Sequence, residues 1–177
     1  MSAFTIILDL AKRSGVFKRN KVPLELKVLA ALLYFSGLSY RRIASLNAFK
    51  HRFSYWSVRY WYLALRQVLP KPKRKPRSLI AIDETKTKLV GSQVYVWAAR
   101  DVESREILAF RVSFSRSILD AELFLKEVLK YCEEKPLFLV DKGPWYPDAF
   151  RSLGLAYKHE RFGMRNRIER WFRNIES

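Results

Sequence analysis

Apolar positions change their period once along this chain, near Ser78, and the change divides it into two kinds of structure. Before that point apolar residues recur at helical steps. Pro23 opens a run in which Leu26, Leu29, Ala30 and Leu33 share one face, and Gly37 closes it. Ser39 caps a second, short helix over Tyr40–Leu46, which turns Ile43 and Leu46 inward and Arg41 and Arg42 outward. A third helix is predicted from Ser54 to Val68, with Trp56, Tyr60, Leu63 and Ala64 facing inward. Residues 1–20 read as a short helix or arm. Three helices with a short middle one suit a helix-turn-helix.

After Ser78 the pattern is that of strands. Leu79–Asp83 is a buried apolar run, and Gln93–Asp101 and Ile107–Phe114 alternate as a hairpin joined at Glu103–Glu106. An amphipathic helix follows over Leu119–Cys132, with Leu123, Phe124, Val128 and Leu129 on its apolar side. Leu137–Asp141 is a fourth strand, reached by a crossover and so parallel to the first. A helix over Pro147–Leu153, a strand over Ala156–Glu160 and a helix over Met164–Ile175 complete the order β-β-β-α-β-α-β-α. Between the two patterns, Pro70-Lys71-Pro72-Lys73-Arg74-Lys75-Pro76-Arg77 reads as an extended basic linker, because each proline disfavours helix at the residue before it. The expected division is a helical domain over 1–69, a linker over 70–77 and an α/β domain over 78–177.

Charge sharpens that division. Of the net +17, residues 1–77 hold 17 Lys/Arg against only Asp9 and Glu25, whereas residues 78–177 hold 17 against 15 Asp/Glu. A half at +15 calls for a polyanionic partner. Arg41, Arg42 and Arg59 of the helices and Lys73, Arg74 and Lys75 of the linker are candidate contacts to duplex DNA. The single Cys132 rules out an internal disulfide, and two histidines, His51 and His159, argue against a histidine-rich metal site. No apolar stretch approaches the roughly 20 residues of a membrane span. No secretory pattern opens the chain. The expected location is the cytoplasm, at the nucleoid.

Two aspartates end the apolar runs, Asp83 and Asp141, and Glu169 lies in the basic helical stretch Asn166-Arg167-Ile168-Glu169-Arg170-Trp171-Phe172. Strands one and four are expected side by side, so Asp83 and Asp141 would meet at their carboxyl ends, where open α/β sheets bind ligands. With Glu169 they form an all-oxygen set suited to a hard divalent cation. Arg167 and Arg170 flank the glutamate as candidate phosphate contacts. Glu84 competes as a ligand by position, but alternation turns it to the opposite face from Asp83.

The segments Ala81-Ile82-Asp83-Glu84-Thr85, Val94-Tyr95-Val96-Trp97-Ala98-Ala99, Val140-Asp141-Lys142-Gly143-Pro144-Trp145-Tyr146 and Arg165–Phe172 together resemble the DDE transposases of small prokaryotic insertion sequences. The resemblance spans essentially residues 20–177. It implies a ribonuclease-H-like catalytic domain behind a helix-turn-helix, with Asp83, Asp141 and Glu169 as the acidic triad holding two Mg²⁺ or Mn²⁺ ions. It further implies cleavage and strand transfer at terminal inverted repeats, by a homodimer on double-stranded DNA.

The spacing from Asp141 to Glu169 is shorter than is usual in that family, and the chain ends soon after Glu169. Two alternatives therefore stand beside the transposase. One is a truncated, inactive DNA-binding relative acting as a repressor, and the other is a hydrolytic nuclease of the same fold. Trp145 and Tyr146 are candidates for stacking on a DNA end or for packing, and Asn166 for orienting a carboxylate. His159 is expected either near the scissile phosphate or paired with Glu160. Cys132 is expected as a buried helix residue.

Overall fold

The computed structural model describes residues 3–19, 21–46, 52–89 and 92–159. Four helices come first: α1 (Ala3–Ser14), α2 (Leu24–Phe35), α3 (Tyr40–Ala44) and α4 (Tyr55–Val68). Then follow β1 (Leu79–Leu89), β2 (Ser92–Asp101), β3 (Ile107–Ser113), α5 (Ile118–Leu129), β4 (Leu137–Val140), α6 (Tyr146–Leu153) and β5 (Tyr157–His159). The strands make one mixed five-stranded sheet in the order β3-β2-β1-β4-β5. The first three are antiparallel neighbours, and β4 is parallel to both β1 and β5. This mixed α/β sheet is compatible with a ribonuclease-H-like order. The helix expected over Met164–Ile175 lies outside the described residues.

Both faces of the sheet are covered, and alternation along the strands sorts the residues between them. Ile80, Ile82, Trp97, Phe138 and Val140 face α5 and α6, where Phe124, Val128, Tyr146 and Phe150 fill the space. Leu89, Val94, Val96 and Val112 face the other way, into a cluster built from α1, α2, α3 and α4. The helical half thus shares a core with the sheet. Residues Lys27 to Leu33 of α2 are all buried, where the sequence pattern predicts a single apolar face. A helix enclosed between other helices and a sheet has no solvent side to keep polar.

Two expected faces are corrected. On α4, Val58, Trp61, Ala64 and Leu65 point inward, whereas Trp56, Tyr60 and Leu63 are exposed. The helix is aromatic on both sides, so apolarity alone does not choose its face. On α5, Leu123 is exposed while Ala121, Phe124, Leu125 and Val128 are buried. That helix starts with a capping box in which the Ser117 hydroxyl accepts from the Asp120 N–H and the Asp120 carboxylate accepts from the Ser117 N–H. It also ends before Cys132, which is buried in the turn that follows.

The basic linker is extended, as its prolines require, and it is also fastened down. Lys75 forms a bridge to Cys132 beyond α5. Arg77 is buried, and its Nη1 donates to Asp101 Oδ2 at 2.6 Å and to Glu106 Oε2 at 2.9 Å. Its Nε donates to the Tyr131 carbonyl and its Nη2 to the Lys73 carbonyl, both at 2.9 Å. Lys75 Nζ pairs with Glu106 at 2.7 Å, so two cations and two carboxylates close on one another. A second tie joins α2 to the edge strand β3. The Ser36 hydroxyl donates to Leu32 O and accepts from the Val112 N–H at 2.7 Å, satisfying an edge-strand donor.

Candidate active site

Strand β1 does not end at Asp83, as the sequence suggests, but runs on to Leu89. Thr85 and Thr87 are β-branched, and the pairing with β2 continues through Leu89 opposite Ser92. The strand that ends here is β4. Its parallel register with β1 runs Leu79 with Leu137, Ile80 with Phe138 and Ala81 with Leu139. Two residues further along each chain stand Asp83 and Asp141. Parallel neighbours are about 4.8 Å apart, so the register brings the two aspartates level at the carboxyl end of β4. Asp83 is half-buried and Asp141 exposed.

The chain around Asp141 is held from several directions. Its Oδ1 accepts from the Gly143 N–H at 3.2 Å. Its backbone carbonyl lies 3.0 Å from His159 Nδ1, at the end of β5. Gly143 permits this turn by lacking a side chain, since a Cβ there would stand 2.5 Å from Trp145 Cε2. Trp145 in turn packs its ring against the Arg116 guanidinium, 4.5 Å from centroid to Cζ, with the Tyr95 ring 4.6 Å from the same group.

Glu84 faces away from Asp83, as alternation predicts, into the layer of α5 and α6. Only 4% of its side chain is exposed. Arg116 Nη1 donates to Oε1 at 2.9 Å and the Tyr146 hydroxyl to Oε2 at 3.3 Å. Burial lifts the Glu84 carboxyl above its ordinary value, helped by the charge of Asp141 and opposed by the Arg116 hydrogen bond. Burial likewise raises the Tyr146 hydroxyl well above its usual range, with Glu84 and Asp141 adding to the effect, so it stays a donor. Sequence reading missed this clamp. A carboxylate sent by alternation onto a helix-covered face needs a cationic partner, and Arg116, itself partly exposed, was the signal.

The remaining candidates are dispersed. Arg41 and Arg42 are exposed on α3, Arg41 above the Tyr55 ring at 5.5 Å. Arg59 is exposed on α4 over the Trp56 ring at 5.7 Å. Lys73 and Arg74 are exposed, Arg74 donating to the Cys132 carbonyl at 3.3 Å. Lys75 is committed to Glu106. Glu169, Arg167, Arg170 and Asn166 lie outside the described residues. Among the described residues no group of three or more His, Cys, Asp or Glu side chains comes together to hold a metal. Nor, among them, is any helix long and apolar enough to cross a membrane.

Residues 77–177 match the model of a DDE domain of the IS240 transposase type. An uncharacterized protein of Methanocaldococcus jannaschii is 46% identical over 157 residues, covering 89% of this chain and 73% of that one. An uncharacterized protein of Aquifex aeolicus is 44% identical over 50 residues, covering 28% of this chain and 41% of its own length. Among solved structures, a chain of the simian T-cell lymphotropic virus intasome in complex with PP2A regulatory subunit B56 gamma matches 52% of this chain and 35% of its own. That match has 16% identity and a TM-score of 0.42. The family model covers more than half of the sequence, and the chain belongs to the DDE transposases of insertion sequences.

Proposed function

We propose that this protein cleaves and joins DNA strands at the ends of an insertion sequence by metal-dependent phosphoryl transfer. The observation that carries the reading is the register that sets Asp83 of β1 beside Asp141 at the end of β4. Two carboxylates side by side repel, and a hard divalent cation relieves that repulsion through oxygen ligands alone. Glu84 is already engaged by Arg116 and Tyr146, so it is not a spare ligand. The donor set therefore fits Mg²⁺ or Mn²⁺, held by Asp83 and Asp141 and completed by Glu169. When bound, such ions stabilise charge on phosphoryl oxygens and lower the pKa of a coordinated water.

The protein's own groups hold that site in position. The Gly143 N–H fixes the Asp141 carboxylate, His159 fixes its backbone, and the Glu84 clamp sets the start of α6 against β1. The helical half would grip the duplex terminal repeats in a helix-turn-helix manner through Arg41, Arg42 and Arg59. Lys73 and Arg74 of the linker would add phosphate contacts, with Lys75 lending its field, and Arg167 and Arg170 would act beside Glu169. Two copies would pair the two ends of the element.

The test incubates purified protein with labelled terminal-repeat DNA and Mg²⁺ or Mn²⁺. Nicking and joining are expected from the native chain. Asp83→Asn and Asp141→Asn should each lose at least a hundredfold while retaining DNA binding. Full activity in either variant would refute the site assignment.

A further inference from the structure

The exposed side of α4 is a stripe of one composition. Trp56, Arg59, Tyr60, Leu63, Arg66 and Gln67 are all exposed, at the helical spacing that places them on one face. Trp56 is 57% and Tyr60 55% exposed, among the most open large apolar side chains of the described residues. The core has no use for them, since α4 packs through Val58, Trp61 and Leu65. An aromatic pair left in water on a helix that already has a buried face marks a binding surface.

Its charge says what kind. No Asp or Glu occurs between Glu25 and Asp83, so α4 and the neighbouring α3 carry cations without a single carboxylate. Arg59 lies over the Trp56 ring and Arg41 over the Tyr55 ring, so the cations and the rings occupy the same surface. A protein partner or a second copy of this chain would need acidic residues to meet that field, and this same face offers none in return. A nucleic acid meets both features, with phosphates for the arginines and base faces for the rings.

A duplex does not suffice. Its major groove offers base edges, with thymine methyl groups as the only apolar contact, and its base faces are hidden in the stack. Rings standing on a helix face find base faces without the cost of unstacking a duplex where bases are unpaired.

We propose that the Trp56–Tyr60 stripe of α4 is a binding site for unpaired DNA bases, which stack on the two rings while Arg59 and Arg66 hold the backbone. The proposal rests on the reading that the protein acts on DNA and adds a strand-selective site to it.

The experiment measures binding of the full chain to fluorescein-labelled oligo-dT of 20 nucleotides and to a blunt 20-base-pair duplex, at one salt concentration. Truncating a stacking ring typically costs about tenfold or more in affinity per base. The double variant Trp56→Ala/Tyr60→Ala should therefore bind oligo-dT at least tenfold more weakly and the blunt duplex within about twofold of the native chain. Trp56→Phe/Tyr60→Phe should restore most of the loss. The salt dependence of oligo-dT binding should keep its slope, since no charge is removed. Both side chains are more than half exposed, so the variants are expected to fold, and circular dichroism checks this.

Unchanged oligo-dT affinity in the alanine variant would overturn the proposal, as would equal losses on oligo-dT and duplex. Failure of the native chain to bind either DNA would overturn the DNA reading as well. Duplex binding without oligo-dT binding would overturn the stacking site alone.

Discussion

Replacing Arg77 by methionine is the sharpest test of how the two halves are joined. The Arg77 side chain is fully buried and that of Asp101 is 4% exposed. Methionine fills similar volume but supplies no donor. Asp101 Oδ2 then loses its cation, while Oδ1 keeps only the N–H groups of Glu103 and Ser104, at 2.9 and 3.3 Å. Removing one partner of a buried pair costs about 3–5 kcal/mol, because the other charge stays buried. The carbonyls of Tyr131 and Lys73 also lose a donor. At a urea m-value of about 2 kcal/mol/M, the midpoint should fall by roughly 1.5–2.5 M.

The acid limb of stability carries a second signature. Burial pushes the Asp101 carboxyl up, but the Arg77 hydrogen bond and the backbone N–H groups outweigh it and leave the group below its usual value. The Lys75 and Arg77 hydrogen bonds hold Glu106 down to about 2. A carboxyl depressed in the folded state stabilises above its unfolded pKa and loses that contribution as pH falls through the folded value. The native protein should therefore lose stability between about pH 4.5 and pH 2. Arg77→Met should show a flatter acid limb, because Asp101 loses the cation that offsets its burial, while Glu106 keeps the Lys75 hydrogen bond. Glu106 is more than one-third exposed, so its share is screened and Asp101 dominates. A midpoint shift below about 0.3 M, or an unchanged acid limb, would refute this account.

Other perturbations follow from the same geometry. Gly143→Ala forces a Cβ into the Trp145 ring, which Arg116 holds in place. It should cost about 1–3 kcal/mol in thermal unfolding and reduce strand cleavage more than DNA binding. Arg116→Ala leaves Glu84 buried beside Tyr146 with one partner fewer and should destabilise by about 1–3 kcal/mol at pH 7. Adding Glu84→Gln should recover a large part of that in urea titration, because the orphaned charge is gone. Arg41→Ala/Arg42→Ala should weaken duplex binding and lower the slope of log K against log salt by about 2, read by fluorescence anisotropy. A slope unchanged in that variant would remove both residues from the phosphate contacts.

Much of the fold was legible because burial on both sides of a sheet writes itself into the sequence. The runs at Leu79–Ile82 and Leu137–Val140 are apolar without alternation, and they are the two central parallel strands. The aspartates after them were legible for the same reason, since a charge that closes an apolar run stands out. Strand length beyond Asp83 was not, because Thr85 to Lys88 alternates polar residues and draws its pairing from β2 alone. The inward face of α4 was misread because Trp56, Tyr60 and Leu63 are as apolar as Val58, Trp61 and Leu65. Only the packing partner distinguishes them. The Glu84 clamp depends on Arg116, 32 positions away in sequence, and spacing does not report contacts of that range.

The shared core changes what the basic half can do. On the proposed roles, a tethered DNA-binding module would deliver its duplex anywhere within the reach of residues 70–77. Here α2 and α4 lie in one cluster with Leu89, Val94, Val96 and Val112 of the sheet, and the linker is fastened through Arg77. Leu89 closes the same strand that carries Asp83. The distance from a bound duplex to the carboxylates would then be set by packing, not by chain length. Lengthening the linker would not widen the choice of cut site, because the helices would stay on the sheet. Loosening the packing would change it: polar substitutions at Val94 or Val96, or loss of the Ser36 tie to β3, would free the helical half to move. On those roles the helices would act as a ruler built into the sheet, and the precision of strand cleavage would be a property of the core.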